Sequence, residues 1–215
     1  MEIILSKLRK HPSPKPSLEQ YAIPPDAAAE ILFIASQMHD DIRNKKVVDL
    51  GCGVGFLAIG AALLGARETV GVDLDGEAVK TAKLNSKLAG VKGKIQWVAG
   101  DIAAITGKFD TVLQNPPFGV RRRGADVPFL EKALEVGEVV YTLHKSGEKN
   151  RRFIKDRILS KGGRISKVFQ IELIIPKTFN FHVKRKHAVK ADLYRVVKDW
   201  GEIGGRKSSL PPGTG

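Results

Sequence analysis

The stretch Asp49-Leu50-Gly51-Cys52-Gly53-Val54-Gly55 decides the fold that this sequence predicts. It ends a short run of β-forming residues and precedes an apolar helical stretch that continues to Leu64. Glycine at alternate positions permits a tight turn and lets a ligand approach the backbone, because no Cβ stands in the way. A strand, a glycine-rich turn and a helix in this order indicate a cofactor-binding α/β sheet.

The glycine spacing differs from that of a dinucleotide-binding turn. In the pattern G-x-G-x-x-G the last glycine would stand at position 56, which is Phe56, whereas here it is Gly55. A dinucleotide brings a pyrophosphate, but S-adenosylmethionine carries a sulfonium, an ammonium and a carboxylate instead. An acidic residue at the strand end, Asp49, is favourable beside those cations. The turn therefore predicts S-adenosylmethionine as the cofactor.

Strand-like and helical segments alternate over the rest of the chain. Strands are predicted at 46–50, 69–73, 94–98, 109–113 and 139–143, with helices at 27–38, 56–64, 76–88, 127–136 and 149–159. Strands separated by helices predict a mainly parallel sheet with helices on both faces. Two further strand-like runs, 165–175 and 188–197, have no helix between them. They predict an antiparallel addition at one edge of this α/β fold.

Acidic residues follow the second and third predicted strands. Asp73 can accept hydrogen bonds from both ribose hydroxyls of the cofactor, with Leu74 beside it. Asp101 can accept from the adenine amino group while Ile102 lies against the ring. One such aspartate alone is usually a turn or capping residue. Their joint placement at the ligand-binding end of the sheet favours a cofactor site. Cys52, inside the glycine turn, is predicted to be a small buried residue lining the cofactor, since no base is near in sequence.

The motif Asn115-Pro116-Pro117-Phe118 follows the fourth predicted strand. The two prolines restrict the backbone, so the Asn115 side-chain oxygen and the Pro116 carbonyl can form two fixed acceptors for one amino group. An aromatic amine is a weak nucleophile, and two acceptors on its hydrogens favour a pyramidal nitrogen aimed at the methyl donor. Phe118 would stack on an extruded base. We predict that this motif catalyses methyl transfer to an exocyclic amine, without a general base or a metal.

Charge and composition restrict the partners. The chain of 215 residues has a formal net charge of +13, which favours a polyanionic partner such as nucleic acid, although a solubilising surface is the alternative. Its single cysteine excludes an internal disulfide. We find no signal-peptide pattern and no apolar run long enough for a membrane span, and we expect a cytoplasmic protein.

Several motifs together resemble the methyltransferase-like protein five family of ribosomal RNA N6-adenine methyltransferases. They are Leu18-Glu19-Gln20-Tyr21, the Asp49–Gly55 turn, Asn115-Pro116-Pro117-Phe118-Gly119, Tyr141-x-Leu143-His144-Lys145-Ser146, Phe181-His182-x-Lys184 and Ala191-Asp192-Leu193. The resemblance covers about residues 16 to 197. It departs at Ile23, where the family often has a threonine, and at Val54, which replaces a second cysteine of the turn.

The resemblance implies a class I fold with a seven-stranded sheet. It also implies that Gln20 and Tyr21 help hold the amino-acid end of the cofactor, and that the substrate is an adenine in small-subunit ribosomal RNA. A small zinc-containing activator protein is a further implied partner. The third predicted strand, with Trp97, offers an edge on which it could dock.

Basic runs in the second half suit phosphate contacts. They are Arg121-Arg122-Arg123, the segment 149–157 and Lys184-Arg185-Lys186-His187. Phe181 beside His182 would either stack on unpaired bases or belong to the core of the terminal hairpin. We predict three parts of the chain: a basic N-terminal arm at 1–17, the methyltransferase domain at 18–200 and a disordered tail at 201–215.

Two other substrates are compatible with the sequence. The same motif would fit the amine of guanine in RNA or a glutamine amide in a protein. A non-enzymatic RNA-binding module is disfavoured because the glycine turn and Asn115 are intact.

Overall fold

A computed structural model describes residues 1–15, 23–119, 124–176 and 186–198. Seven strands in these residues form one sheet. The strands are β1 Lys46–Leu50, β2 Glu68–Asp73, β3 Ile95–Ala99, β4 Phe109–Gln114, β5 Gly137–Lys145, β6 Gly163–Pro176 and β7 Lys186–Lys198. The α-helices are α1 Glu2–Ser6, α2 Pro25–Phe33, α3 Phe56–Leu63, α4 Gly76–Leu88, α5 Val127–Val136 and α6 Glu148–Ser160. A 3₁₀ turn at Ile102–Ala104 follows β3.

The strand order is β3-β2-β1-β4-β5-β7-β6. Neighbours from β3 to β5 are parallel, whereas β7 runs antiparallel to both β5 and β6. The predicted class of fold is confirmed, with the hairpin added at one edge. Within that hairpin the last described strand, β7, is the inner one, and β6 lies outside it.

Alternate strand residues face two separate cores, as expected for a sheet covered on both sides. Val47, Leu113 and Leu143 pack with α2 and α3 on one face. Val48, Leu50, Val112 and Val140 pack with α5 and α6 on the other. The two cores fix the positions of the strand ends, and so of the residues that directly follow them.

The start of α2 differs from the prediction. The helix was predicted from residue 27, but Pro24 is the N-cap residue, Pro25 is the first helical residue, and the Asp26 carboxylate accepts from the N–H of Ala27 at 2.9 Å. Proline suits the first helical position because it has no N–H to leave unsatisfied. After Phe33 the helix widens into a π-helical turn, Ile34–Met38.

Residues 1–15 lie against the domain. Leu5 of α1 is fully buried and Leu8 nearly so, and both join the core that contains α2 and α3. The predicted tail, 201–215, lies outside the described residues. None of the described helices is long and apolar enough to cross a membrane.

Candidate active site

The glycine turn and the Asn-Pro-Pro-Phe motif leave the sheet side by side. β1 and β4 are parallel neighbours in which Leu50 pairs with Gln114, so Gly51 and Asn115 follow directly paired residues. Neighbouring strands are about 4.8 Å apart. In the sheet, β1 lies between β2 and β4. The chain that leaves β1 continues to β2 on one side, and the chain that leaves β4 continues to β5 on the other, so the two connections diverge at this point. Ligands of open α/β sheets bind at such a switch point.

Close packing beneath the glycine turn explains the glycine at position 55. Gly55 has a φ of +91°, and a Cβ there would lie 2.6 Å from the Trp97 ring. The N–H groups of Gly51 and Cys52 both donate to the carbonyl of Val72 at 2.9 Å, which fixes the turn to β2. At Gly53, by contrast, an added Cβ would meet no described atom within 4 Å. The turn is therefore packed from below and open at Gly53, where a ligand can approach.

The Asp73 carboxylate stands at the open side of this turn. Its two oxygens accept from the N–H groups of Gly53 at 2.8 Å and Asp75 at 2.9 Å. Burial raises the pKa of Asp73 above its ordinary value, although these two hydrogen bonds oppose the shift. A carboxylate offers about four acceptor sites, so each oxygen can also accept a ribose hydroxyl. The backbone bonds fix the carboxylate in place for that role.

Asp49 is placed behind the turn. Its side chain is 1% exposed and accepts from the N–H of Ala58, in the first turn of α3, at 3.0 Å. Burial raises the pKa of Asp49 to about 7; the Ala58 hydrogen bond opposes this and the nearby charge of Asp73 adds to it. The carboxylate thus anchors α3 beneath the glycine turn, and a cation bound above the turn would favour its ionised form.

The remaining predicted cofactor residues occupy neighbouring strand ends. Leu74 is 61% exposed, which is unusual for leucine, and Ile102 is half-buried. They follow β2 and β3, in which Asp73 pairs with Ala99. Asp101 is exposed and its carboxylate accepts from the N–H of Ala103 at 2.8 Å. Two apolar side chains beside an exposed carboxylate fit an adenine ring with its amino group.

Cys52 is buried, and burial raises the pKa of its thiol well above the usual range. A thiol that stays protonated is a poor nucleophile. This agrees with its predicted place as a small residue in the turn.

The catalytic motif continues directly from β4. Pro116 is buried, while Asn115, Pro117 and Phe118 are half-buried. The Phe118 ring packs against the core of the α2–α3 face. Asn115 and Pro116 are therefore held between a rigid strand and an anchored aromatic ring, next to the glycine turn.

The structure adds residues that the sequence did not predict. Behind the motif, buried side chains form a chain of hydrogen bonds from Gln114 through Thr142 and His144 to Asp126. Beside the cofactor turn, buried Asn85 donates to the carbonyl of Val54 at 3.0 Å. Such long-range contacts carry no signal in local sequence patterns.

Asp75 holds the N-terminal segment beside the cofactor site. Its carboxylate accepts from Lys15 at 3.1 Å and lies 3.0 Å from the ring nitrogen of His11. It also caps α4 through the N–H of Glu77. The residues that follow Lys15 in the chain include the predicted cofactor residues Gln20 and Tyr21.

The predicted cofactor residues Gln20 and Tyr21 lie outside the described residues. So do most of the predicted RNA-binding residues, namely Arg121, Arg122, Arg123, Phe181, His182, Lys184 and Arg185. Lys186 begins β7. Of the predicted basic runs, the described part is α6, where Lys149, Arg152 and Lys155 are exposed.

A glycine turn over β1, an aspartate after β2 and an Asn-Pro-Pro-Phe motif after β4 define a class I methyltransferase that uses S-adenosylmethionine. A family model described as "Methyltransferase small domain" matches residues 24–148. Magnesium protoporphyrin IX methyltransferase from Synechocystis, solved with bound S-adenosylmethionine, shares the fold at a TM-score of 0.59 and 16% identity, covering 81% of this chain and 78% of that one.

Two more similar proteins narrow the family. The rRNA N(6)-adenosine-methyltransferase Mettl5 of Drosophila melanogaster is 39% identical over 85% of this chain and 87% of its own. A crystal structure from Pyrococcus horikoshii, of a protein proposed to be an RNA methyltransferase, has 41% identity and a TM-score of 0.85, with 92% of this chain and 95% of that chain covered. The chain belongs to the Methyltransferase small domain family and, within it, to the methyltransferase-like protein five family.

Proposed function

We propose that this enzyme methylates the N6 amine of an adenosine in small-subunit ribosomal RNA. The observation that carries the proposal is the placement of Asn115 and Pro116 directly beside the glycine turn, fixed by the pairing of Leu50 with Gln114. Two acceptors at this place would hold the target amine next to the glycine turn, and so next to the methyl group of a cofactor bound there.

The residues of the chain divide the work between cofactor and substrate. Asp73 is suited to the ribose, and Leu74, Asp101 and Ile102 to the adenine of the cofactor. S-adenosylmethionine supplies an activated methyl group on its sulfonium. Asn115 Oδ1 and the Pro116 carbonyl accept the two hydrogens of the target amine. They would stabilise the positive charge that develops on its nitrogen as the N–C bond forms and the methyl–sulfur bond breaks, and the methylated nitrogen would then lose one of these two hydrogens to solvent as a proton.

Orientation of the acceptors contributes in addition to charge. The residue before a proline is held extended, and Pro116 itself has a fixed φ, so the direction of both acceptors is set before the substrate binds. Preorganised acceptors need no rearrangement during the reaction. Phe118, anchored on the core, is suited to stack on the base that carries the amine.

Charge and relatedness support ribosomal RNA as the substrate. The net charge of +13 is suited to a polyanion, and α6 presents Lys149, Arg152 and Lys155 to solvent. The Drosophila relative, which aligns over most of both chains, is named an rRNA N6-adenosine methyltransferase.

Guanine amine and glutamine amide are the competing substrates for the same pair of acceptors. Purified enzyme with S-adenosylmethionine is incubated separately with small-subunit RNA, large-subunit RNA and a release factor. Nucleoside and peptide mass spectrometry then locate the methyl group. We expect N6-methyladenosine in the small-subunit RNA alone. Methyl on guanine, on large-subunit RNA or on a glutamine would overturn the proposal.

We also propose that a small zinc-containing activator protein pairs with the edge of the sheet at β3. In the described residues β3 pairs only with β2, which leaves one edge open. Trp97 was expected to serve this docking edge, but its ring packs under the turn, where a Cβ on Gly71 would lie 2.5 Å from it. Docking would thus use the backbone of β3. Slower hydrogen exchange at residues 95–99 in the complex is expected, and unchanged exchange would contradict this site.

A further inference from the structure

Both ends of the catalytic segment are tied to β5 by one chain of hydrogen bonds. Gln114, which precedes Asn115, donates from Nε2 to Thr142 Oγ1 at 2.8 Å. Thr142 Oγ1 lies 2.8 Å from His144 Nε2, and His144 Nδ1 lies 3.1 Å from Asp126 Oδ2. Asp126 directly precedes α5. Gln114 and Asp126, which lie on either side of the Asn-Pro-Pro-Phe motif in the chain, are therefore joined through Thr142 and His144.

One assignment of the hydrogens gives every hydrogen bond in this series a donor and an acceptor. The Asp126 carboxylate accepts only, so His144 carries its hydrogen on Nδ1. In the neutral imidazole, Nε2 then accepts from the Thr142 hydroxyl, whose oxygen accepts from Gln114. Burial alone would raise the pKa of Asp126, but the hydrogen bond from His144, the charge of that ring when it is protonated and a backbone hydrogen bond together hold the pKa below its ordinary value.

The His144 ring is enclosed on every side that the structure describes. It is 1% exposed, and its edge packs on the Tyr194 ring of β7 at 5.9 Å between centroids. Asp192, also on β7, is held by Ser146 at 2.6 Å and by Arg151 of α6 at 2.7 Å. The imidazole therefore has little freedom to turn away from Asp126.

The far end of the tied segment also reaches the cofactor turn. Phe129, in the first turn of α5, packs so closely on Gly51 that a Cβ there would lie 2.8 Å from its ring. The hydrogen bonds of Asp126 thus link the start of α5, which packs on the cofactor turn, to Gln114, which precedes Asn115.

We propose that His144 is a positioning residue, which holds the Asn115 acceptor pair against the cofactor turn through its bond to Asp126. This inference rests on the proposed function of Asn115, but it does not depend on which amine is methylated. The buried His144 ring is not proposed to touch the substrate or the cofactor. Its effect is on the alignment of the acceptors.

Three substitutions separate the two bonds of the ring. His144→Leu removes both. His144→Asn keeps a donor near the place of Nδ1 and so the bond to Asp126, whereas His144→Gln reaches toward Thr142 instead. We expect His144→Leu and His144→Gln to lower kcat about ten- to a hundredfold, as small misplacements at active sites do. KM for both substrates should stay within about threefold. His144→Asn should recover most of kcat.

A buried hydroxyl on the opposite face of the sheet provides the matched control. Tyr141→Phe removes a hydrogen bond to Asp41 and leaves the catalytic segment untouched. It should lower the melting temperature but keep kcat. The double variant His144→Leu/Asp126→Leu should have the same kcat as His144→Leu, because the bond that Asp126→Leu removes is already lost in His144→Leu.

Hydrogen exchange provides a readout without turnover. The amides of Phe118 and Gly119 should exchange faster in His144→Leu and return toward the wild-type rate in His144→Asn. Equal kcat and exchange in the Leu and Asn variants would overturn the positioning role. Kinetics are measured on whichever amine the wild type methylates. Methyl on guanine or glutamine would then refute the proposed substrate, while the His144 comparison still decides its own question.

Discussion

The side-chain amide of Asn85 pairs with the backbone of Arg9, accepting from its N–H at 2.8 Å and donating to its carbonyl at 3.0 Å. The same amide donates to the carbonyl of Val54 in the glycine turn at 3.0 Å. One fully buried side chain therefore joins the N-terminal segment to the cofactor turn. The segment forms part of the structure around the cofactor, although it is remote in sequence from the turn.

Replacement of Asn85 by alanine should loosen both partners at once. The variant leaves buried backbone groups without hydrogen bonds, at a cost of about 1–3 kcal/mol in the free energy of unfolding. We also expect weaker binding of S-adenosylmethionine, because the glycine turn loses its support at Val54. Chemical denaturation and calorimetric titration measure the two effects. Lys83→Ala, on the exposed face of the same helix, serves as the control; equal losses in both variants would refute the link.

Asn115→Ala should separate cofactor binding from turnover. It removes one of the two acceptors proposed for the amine, and loss of one such group costs about 10²–10³ in kcat. The dissociation constant for S-adenosylmethionine should remain within about twofold. Gln37→Ala, an exposed amide on the π-helical turn, controls for loss of an amide elsewhere. Near-normal turnover of Asn115→Ala would disprove its catalytic role.

Cofactor affinity should depend on pH through Asp49. Burial raises the pKa of Asp49 to about 7, so a large share of the carboxyl is protonated at neutral pH in the cofactor-free enzyme. The cations of the cofactor favour the ionised form, and affinity should rise as the pH increases through about 7. Calorimetry of wild type and Asp49→Asn across this range tests the idea. A slope of the same size in both proteins would exclude Asp49 as its source.

The same residue has the opposite effect on the stability of the cofactor-free enzyme. An unfolded aspartate has a pKa of about 3.9, which lies below the folded value. The folded state therefore binds the proton more tightly, and the contribution of Asp49 to stability should fall as the pH rises from about 4 to about 7. Asn at this position should remove that dependence in denaturation experiments.

A second buried cluster should support stability without affecting catalysis. The Asp41 carboxylate accepts from the Tyr141 hydroxyl at 2.5 Å and from Arg195 at 2.8 Å, and Arg195 also donates to Ser166 at 2.7 Å. This joins β5, β6 and β7 to the segment before β1. Asp41→Ala leaves the half-buried Arg195 charge with no carboxylate, at a cost of about 1.5–3 kcal/mol. Thermal unfolding should show the loss, while Tyr141→Phe should cost less because the ion pair remains.

Local patterns predicted the parts of this fold that depend on local forces. The bounds of α4 and α5 follow from helical spacing of apolar residues, and the terminal hairpin follows from two strand-like runs without a helix between them. The candidate site residues at the ends of β1 to β4 could be placed at one edge of the sheet, because parallel strands present their carboxyl ends there. Asn85 and Asp126 were missed, since their partners come from distant parts of the chain. Trp97 was placed on an open edge because the sequence does not show which way its ring turns.

The position of β7 has a consequence for how the protein is made. This strand is the last described element of the chain, yet it lies inside the sheet between β5 and β6. Until the residues up to Lys198 have left the ribosome, β7 cannot pair. One edge of β5 is then unpaired, and β6 has no neighbour among the described strands. Arg195 and Asp192, which complete two of the buried clusters, arrive with that same strand. Completion of the domain is thus expected only after the residues up to Lys198 have left the ribosome, and a chain that stops before β7 exposes a strand edge open to aggregation.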